Sequence, residues 1–410
     1  MSSAPPSDAG AARPQAPRAL FLLVLVAITA IAPLATQIFF PALPAIQAEF
    51  GIKAGLAQLT VSLSMVAIAV ATLAYGPISD RFGRRPVMVV GLVIFLAGSV
   101  MSLFAETIGE LIAGRIIQAA GGTCGIVLSR AIIRDVYAEE KVAKVLAYTT
   151  VAMVVAPMVA PALGGLLTDY FGWRSTFVFV GVVGLVVLAG VGLHLDETVS
   201  APPTHPGLSG MIRGFGPLLR SARFNGYTLQ SAFQLSVFFV FASAAPYVMV
   251  NILGRPAAEY GLYFMIVPLG YIAGNFIAAR ISESVGIERM VVTGGIISLL
   301  GTVAGAILVF SGQWAPWAIF GPGMVFAFGG GLLIPNSQAG ALSVHPRSAG
   351  TASGLSGFVQ MGLAALFTQL VGLLQGETPY PMVVLMVIAS ALGLVSVMIG
   401  LRRGDRGDRR

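Results

Sequence analysis

Gly76-Pro77-Ile78-Ser79-Asp80-Arg81-Phe82-Gly83-Arg84-Arg85 stands between two apolar runs, 56–75 and 86–104, and that juxtaposition decides the fold. Each run has about the 20 residues that a helix needs to cross a ~30 Å hydrocarbon core. The stretch between them reads as a short charged turn with glycines at both ends and one acid among three arginines. Arginines alone would serve to fix topology. The acid and the spaced glycines ask for a further role.

Composition extends this reading to the whole chain. Of 410 residues, 56% are hydrophobic and 10% charged, where a soluble domain carries about 25% charged residues. With a mean hydropathy of +0.88, the chain reads as an all-α, polytopic membrane protein. A single cysteine, Cys124, excludes an internal disulfide, a Cys₄ zinc site and an iron–sulfur cluster. His194, His205 and His345 are scattered and suggest no metal site. The basic residues are spread over loops, which argues against a nucleic-acid partner. There is no Gly-x-x-x-x-Gly-Lys-[Ser/Thr] loop for nucleotide-driven pumping, and no cluster that would make the chain an enzyme. No cofactor is expected.

Apolar windows fall at 19–40, 56–75, 86–104, 108–130, 145–168, 175–195, 227–250, 258–279, 289–310, 314–336, 350–374 and 380–401, which predicts twelve transmembrane helices. The first window is too long for a signal-peptide core and lacks a cleavage site close behind it. Of the 24 Lys and Arg residues, only Lys53, Arg174 and Arg255 fall in loops opposite the termini, and Arg115 lies within a span. The positive-inside rule then puts both termini in the cytoplasm.

One long connection, 196–226, carries Pro202, Pro203, Pro206, Gly207, Gly210 and Gly214. It divides the chain into a tail 1–18, a six-helix bundle 19–195, a linker 196–226, a second six-helix bundle 227–402 and a basic tail 403–410. The second bundle holds an echo of the charged stretch, Ala279-Arg280-Ile281-Ser282-Glu283-Ser284-Val285-Gly286. Aligning Gly286 with Gly83 sets Glu283 opposite Asp80. Two pseudo-symmetric halves around a cavity suit alternating access.

Further motifs follow. Span 4 and the loop after it read Gly114-Arg115-Ile116-Ile117-Gln118, then Arg130-Ala131-Ile132-Ile133-Arg134-Asp135. Span 5 reads Ala156-Pro157-Met158-Val159-Ala160-Pro161-Ala162-Leu163-Gly164-Gly165, and span 1 contains Thr36-Gln37-Ile38-Phe39-Phe40-Pro41-Ala42-Leu43-Pro44. Two prolines four apart bend a helix, and paired glycines permit close packing.

Together these stretches resemble the major facilitator superfamily, and within it the bicyclomycin and chloramphenicol resistance branch of the drug:proton antiporters. The resemblance covers almost the whole chain and is tightest in spans 1–5. It implies a secondary transporter that exports small amphipathic compounds in exchange for protons, acting as a monomer. The alternative is a carrier of the same fold, importer or exporter, for a dedicated metabolite, with an anion as one candidate.

The resemblance also implies residue roles. Gly76, Asp80, Arg81, Gly83, Arg84 and Arg85, with Asp135, would latch the cytoplasmic side. Gly76 would let a neighbouring helix approach, and Asp80 would accept hydrogen bonds at a helix N-terminus of the other half. Arg115 would belong to the coupling machinery. Pro157, Pro161, Gly164 and Gly165 would form the antiporter helix.

One position departs from the pattern. The branch usually places an aspartate where Gln37 stands, and an amide does not titrate. Cavity candidates are Thr36, Gln37, Phe39, Gln118, Gln230, Gln234, Asn336 and Gln360.

Overall fold

The computed structural model describes residues 19–137, 139–198, 213–344 and 348–407. The expected tail 1–18, the proline-rich part of the linker, His205, His345 and Arg347 lie outside them. Among the described residues there are 12 helices long and apolar enough to cross a membrane. In chain order they are Leu20–Phe50, Ala54–Phe82, Arg84–Leu103, Ile108–Val136, Tyr148–Phe171, Arg174–His194, Ala222–Ile252, Ala257–Val285, Ile287–Phe310, Pro316–Val344, Ala349–Leu374 and Tyr380–Gly404. They are called spans 1–12 below. Their outward faces stay apolar, with Val90, Val186, Leu300 and Ile307 each more than half exposed. A water-soluble bundle would carry polar residues there. The molecule is a multi-pass membrane protein.

An even number of spans puts both ends of the chain on one face, the tail face; the other is the far face. Span 2 reaches the tail face as a continuous helix to Phe82. Gly76–Phe82 is therefore helical, and the turn expected over ten residues is confined to Gly83. That glycine breaks the helix because its φ of 96° suits no residue with a side chain. Gly286, its counterpart between spans 8 and 9, has φ 90° and ψ 146° against 96° and 152° at Gly83. The sequence echo is thus a repeat in backbone conformation as well.

Close helix pairs repeat in the same way. Spans 3 and 4 meet at Gly98 and Gly121, where an added Cβ would lie 2.3 Å from the backbone nitrogens of Gln118 and Phe95. Spans 9 and 10 meet at Gly301 and Gly329, with 2.6 Å to the backbone nitrogens of Phe326 and Ser298. Glycine at a crossing lets two backbones touch, which is how apolar helices associate in lipid. Span 4 starts with a capping box in which Thr107 Oγ1 accepts from Glu110 N at 3.2 Å and a Glu110 carboxylate oxygen accepts from Thr107 N.

Span 1 is not one helix. It stops at Gln37, passes through a 3₁₀ turn at Phe40–Ala42, and resumes over Leu43–Phe50. Pro41 and Pro44 lack the N–H groups that would continue it. The largest core cluster lies beside this break and straddles the halves, with Phe39, Phe40, Trp173 and Phe177 on one side and Phe239, Tyr260 and Phe264 on the other. The rings of Phe40 and Phe239 meet edge to face at 6.2 Å.

Candidate functional site

At the tail face the charged stretch closes on its own half. Arg84 donates from Nη1 to Asp80 and to Ser79 Oγ, and from Nε to Asp135 Oδ2 at 3.1 Å. Arg84 is thus the hub of these contacts, with Asp135 one of its partners. Arg85 donates to the Gly192 carbonyl at 2.9 Å, and the Arg81 guanidinium lies 5.2 Å from the Phe82 ring. Glu197 accepts from the backbone N–H groups of Arg84 at 2.9 Å and Arg85 at 3.2 Å, capping span 3. Gly83 leaves room for this contact, since a Cβ there would lie 2.4 Å from a Glu197 oxygen. Nothing near the motif in sequence points to Glu197, which reaches it from just beyond the tail-face end of span 6.

Asp80 pairs within its own hairpin rather than with a helix of the other half. Among the described residues nothing lies within 4 Å of a Cβ added at Gly76. Span 11 passes span 2 at Gly354, 3.3 Å from Leu73 by the same measure, and its first turn has no side-chain cap. Spans 2 and 11 thus touch across the halves on the tail side, while Arg84 holds the Asp80 carboxylate.

Deeper in the first half, Arg115 is 2% exposed. Its Nη1 donates to the Ala35 carbonyl at 3.3 Å and to Gln118 Oε1, and its guanidinium lies 4.3 Å from the Phe39 ring centroid. Ala35 sits one turn before the break in span 1, and Phe39 is in it. The break therefore supplies both contacts. Gln118 passes the interaction to Ser99 Oγ at 2.8 Å. Among the described residues no carboxylate pairs with Arg115. Its Nε and Gln37 Oε1 are buried without a hydrogen-bond partner. A desolvated cation–π contact contributes about 2 kcal/mol, against several kcal/mol for burying one ion. The two hydrogen bonds from Nη1 offset more of that cost, at about 1.5–3 kcal/mol each, and Nε is the N–H left without a partner.

The halves meet tightly at the far face. Span 5 brings its paired glycines to two different partners. A Cβ on Gly164 would lie 2.1 Å from the Ile38 carbonyl oxygen of span 1, and one on Gly165 would lie 2.4 Å from the Ala257 oxygen of span 8. Gly261 of span 8 returns the contact, 2.4 Å from Ala162 Cα and the Pro161 oxygen. The Asp169 carboxylate accepts from the backbone N–H groups of Ala257 at 3.2 Å and Ala258 at 2.7 Å. Spans 2 and 11 form the second seam, where Gln369 accepts from Ser62 Oγ at 2.7 Å and donates to the Gly55 carbonyl at 2.9 Å. Val151, three turns tailward of Ala162 on the same stripe of span 5, is 58% exposed. Span 5 is sealed against the other half at the far face and uncovered toward the tail face. Pro157 lies inside the helix between these two regions, and Pro161 lies at the contact with Gly261.

The remaining cavity candidates divide. Thr36 Oγ1 is turned back on the Ala32 carbonyl. Gln118 and Gln234 serve as ties between helices; Gln234 donates to the Phe326 carbonyl and accepts from Ser298. Gln360 joins Ser231 and Ser356, both at 3.1 Å. Gln230 is buried, with Oε1 unpartnered, against Gly295 and Gly393. Asn336 lines a tail-face pocket of about 750 Å³ with Arg223, Tyr227 and Glu283. Ser99, Glu197, Asp169 and Gly261 are contributors that sequence reasoning did not assign.

The Major Facilitator Superfamily model matches residues 25–369. The chain is 28% identical to the bicyclomycin resistance protein homolog of Haemophilus influenzae, over 88% of this chain and 91% of that protein. It is also 28% identical to the chloramphenicol resistance protein of Pseudomonas aeruginosa, over 94% and 92% respectively. Its fold matches the inward-facing, unoccupied structure of a bacterial homolog of the human lysosomal transporter Spinster, with a TM-score of 0.73 at 16% identity, covering 93% of this chain and 97% of that one.

Proposed function

Because the chain belongs to the major facilitator superfamily, we propose that it exports small amphipathic compounds by proton antiport, as a monomer in a bacterial inner membrane. The observation that carries this reading is the seam between the halves, closed by backbone-to-backbone contact at one end of span 5 and uncovered at the other. A seam of that kind suits two bundles, 19–195 and 227–402, rocking about a site between them. Relatives named for bicyclomycin and chloramphenicol resistance favour export and amphipathic cargo. The basic residues of the tail face favour a cytoplasmic location for it.

In this reading Arg84, Asp80, Asp135, Arg81 and Arg85 form the cytoplasmic latch, at rest within their own half while the far face is shut. Closing the tail face would free Asp80 to cap the start of span 11. Arg115 is the cavity charge, and its environment changes as span 1 moves at the Gln37–Phe39 break. Gln37 is an amide and does not titrate, so either an acid away from the span centres serves the exchange or coupling is altered.

A second reading, a carrier for an anionic metabolite, is favoured by one observation. Arg115 is buried without a carboxylate partner among the described residues, and a ligand anion would supply one. Drug susceptibility in a pump-deleted bacterial host separates the two. The panel includes phenicols, bicyclomycin, lipophilic cations and organic anions, with protein levels checked. Resistance to phenicols or cations, lost in Arg115→Ala, is expected. Resistance to organic anions alone, or to nothing at good expression, selects the second reading. Gln37→Asp reports whether a carboxylate at that position strengthens resistance.

A further inference from the structure

Span 8 begins without a cap of its own. The residues leading into it are Arg255-Pro256-Ala257-Ala258, and Pro256 at the N-cap position has no side-chain acceptor. Its free N–H groups need a partner, because a helix start leaves them unpaired and carries a partial positive charge. Asp169, 88 residues earlier and in the other half, provides it through both carboxylate oxygens. The acid of span 8 itself, Glu259, lies 3.8 Å from Arg255. The contact is backed by Gly165 and Gly261, whose missing side chains bring spans 5 and 8 to backbone distance.

We propose that Asp169 is the far-face latch of the transport cycle, a positioning residue that holds spans 5 and 8 together by capping span 8 and must release it for the far face to open. The inference rests on the alternating-access reading above. It gives that reading a specific bond to break. At the tail face the corresponding acid, Asp80, is held by its own hairpin. At the far face Asp169 has crossed to the other half. One carboxylate engaged across the halves at a time fits a device with two alternating closures.

The test uses the purified full chain with Cys124→Ser, the only native cysteine being replaced, and two single-cysteine reporters. Ala54→Cys is 7% exposed and lines a far-face pocket of about 960 Å³ between the halves. Val151→Cys reports on the uncovered part of span 5. A water-soluble maleimide is the probe. Asp169→Ala is expected to raise labelling at Ala54→Cys at least tenfold and to lower it at Val151→Cys, since two charge-assisted hydrogen bonds are lost. The near-isosteric Asp169→Asn keeps one acceptor and gives an intermediate rise. Gly261→Val opens the same seam from the other half.

Unchanged labelling at Ala54→Cys would overturn the proposal. So would a rise there with no fall at Val151→Cys, which marks a local staple, or equal labelling for Asp169 and Asp169→Asn, which leaves the carboxylate charge without a role. Ethidium added to protein with Asp169 intact tells this failure from a failure of alternating access. If ethidium drives the two reporters in opposite directions, only the assignment of Asp169 has failed.

Discussion

Two carboxylates at opposite faces show how placement decides what a charge does. Asp80 pairs with Arg84 four residues away, inside one half, with side chains 33% and 13% exposed. Asp169 pairs with backbone N–H groups 88 residues away, in the other half. The first contact leaves the halves free to move and the second holds them. The far seam also has glycines at backbone contact, whereas Gly76 at the tail face meets nothing within 4 Å. Close approach, more than charge count, marks which face is shut.

The comparison can be broken most severely at Gly165. Gly165→Val would place its side chain against the Ala257 carbonyl, 2.4 Å from the new Cβ, where backbone has no room to yield. Efflux is expected to fall by about 100-fold or more with protein still present in the membrane, a loss of the order that misplacing a critical element causes. Normal efflux at wild-type expression would show that the far face does not need to shut.

Arg115→Ala comes next, with a loss of about tenfold or more in transport. Arg115→Lys should not restore it, because an ammonium cannot reach the Ala35 carbonyl, Gln118 Oε1 and the Phe39 ring with one planar group. Full activity of the lysine variant in a flux assay would reduce the site to a bare positive charge.

Asp80→Asn sharpens the tail-face side. The ion pair is partly exposed and contributes at most about 1 kcal/mol, so thermal unfolding should hardly move. Transport should nevertheless fall several-fold, because the acid would serve the other closed state. Equal losses of stability and transport would make Asp80 a structural residue only.

The smallest effect belongs to Glu197→Ala, which removes the cap of span 3 for about 1 kcal/mol. A thermal shift as slight as that of Asp80→Asn, with transport within twofold of wild type, is expected. A transport loss as large as that of Asp80→Asn would make Glu197 part of the latch.

Most of the fold is legible in the residues themselves. Runs of about 20 apolar residues mark the spans, and the Gly83 and Gly286 alignment anticipates two turns with matching φ and ψ. That Asp135 belongs with the charged stretch is legible too, whereas which arginine holds it is seen only in the structure. What sequence hides is contact across long separations. Glu197 and Asp169 are acids near span ends, indistinguishable in sequence from acids that only face water. Their partners are backbone groups, which leave no mark in side-chain identity. Gln118 and Gln234 read as cavity lining and prove to be ties between helices, because a polar side chain in a span fits either description. Pro256 before span 8 was the available signal for Asp169, a helix start with no acceptor of its own.

The central claim, export by proton antiport, is tested most directly in proteoliposomes containing the purified chain. Ethidium and chloramphenicol are followed across the membrane with and without an imposed pH gradient. Uptake of either into vesicles with an acidic interior, abolished by a protonophore and by Arg115→Ala, is the result this account predicts. Flux that ignores the pH gradient, or no flux of either compound by protein that binds them, would contradict it.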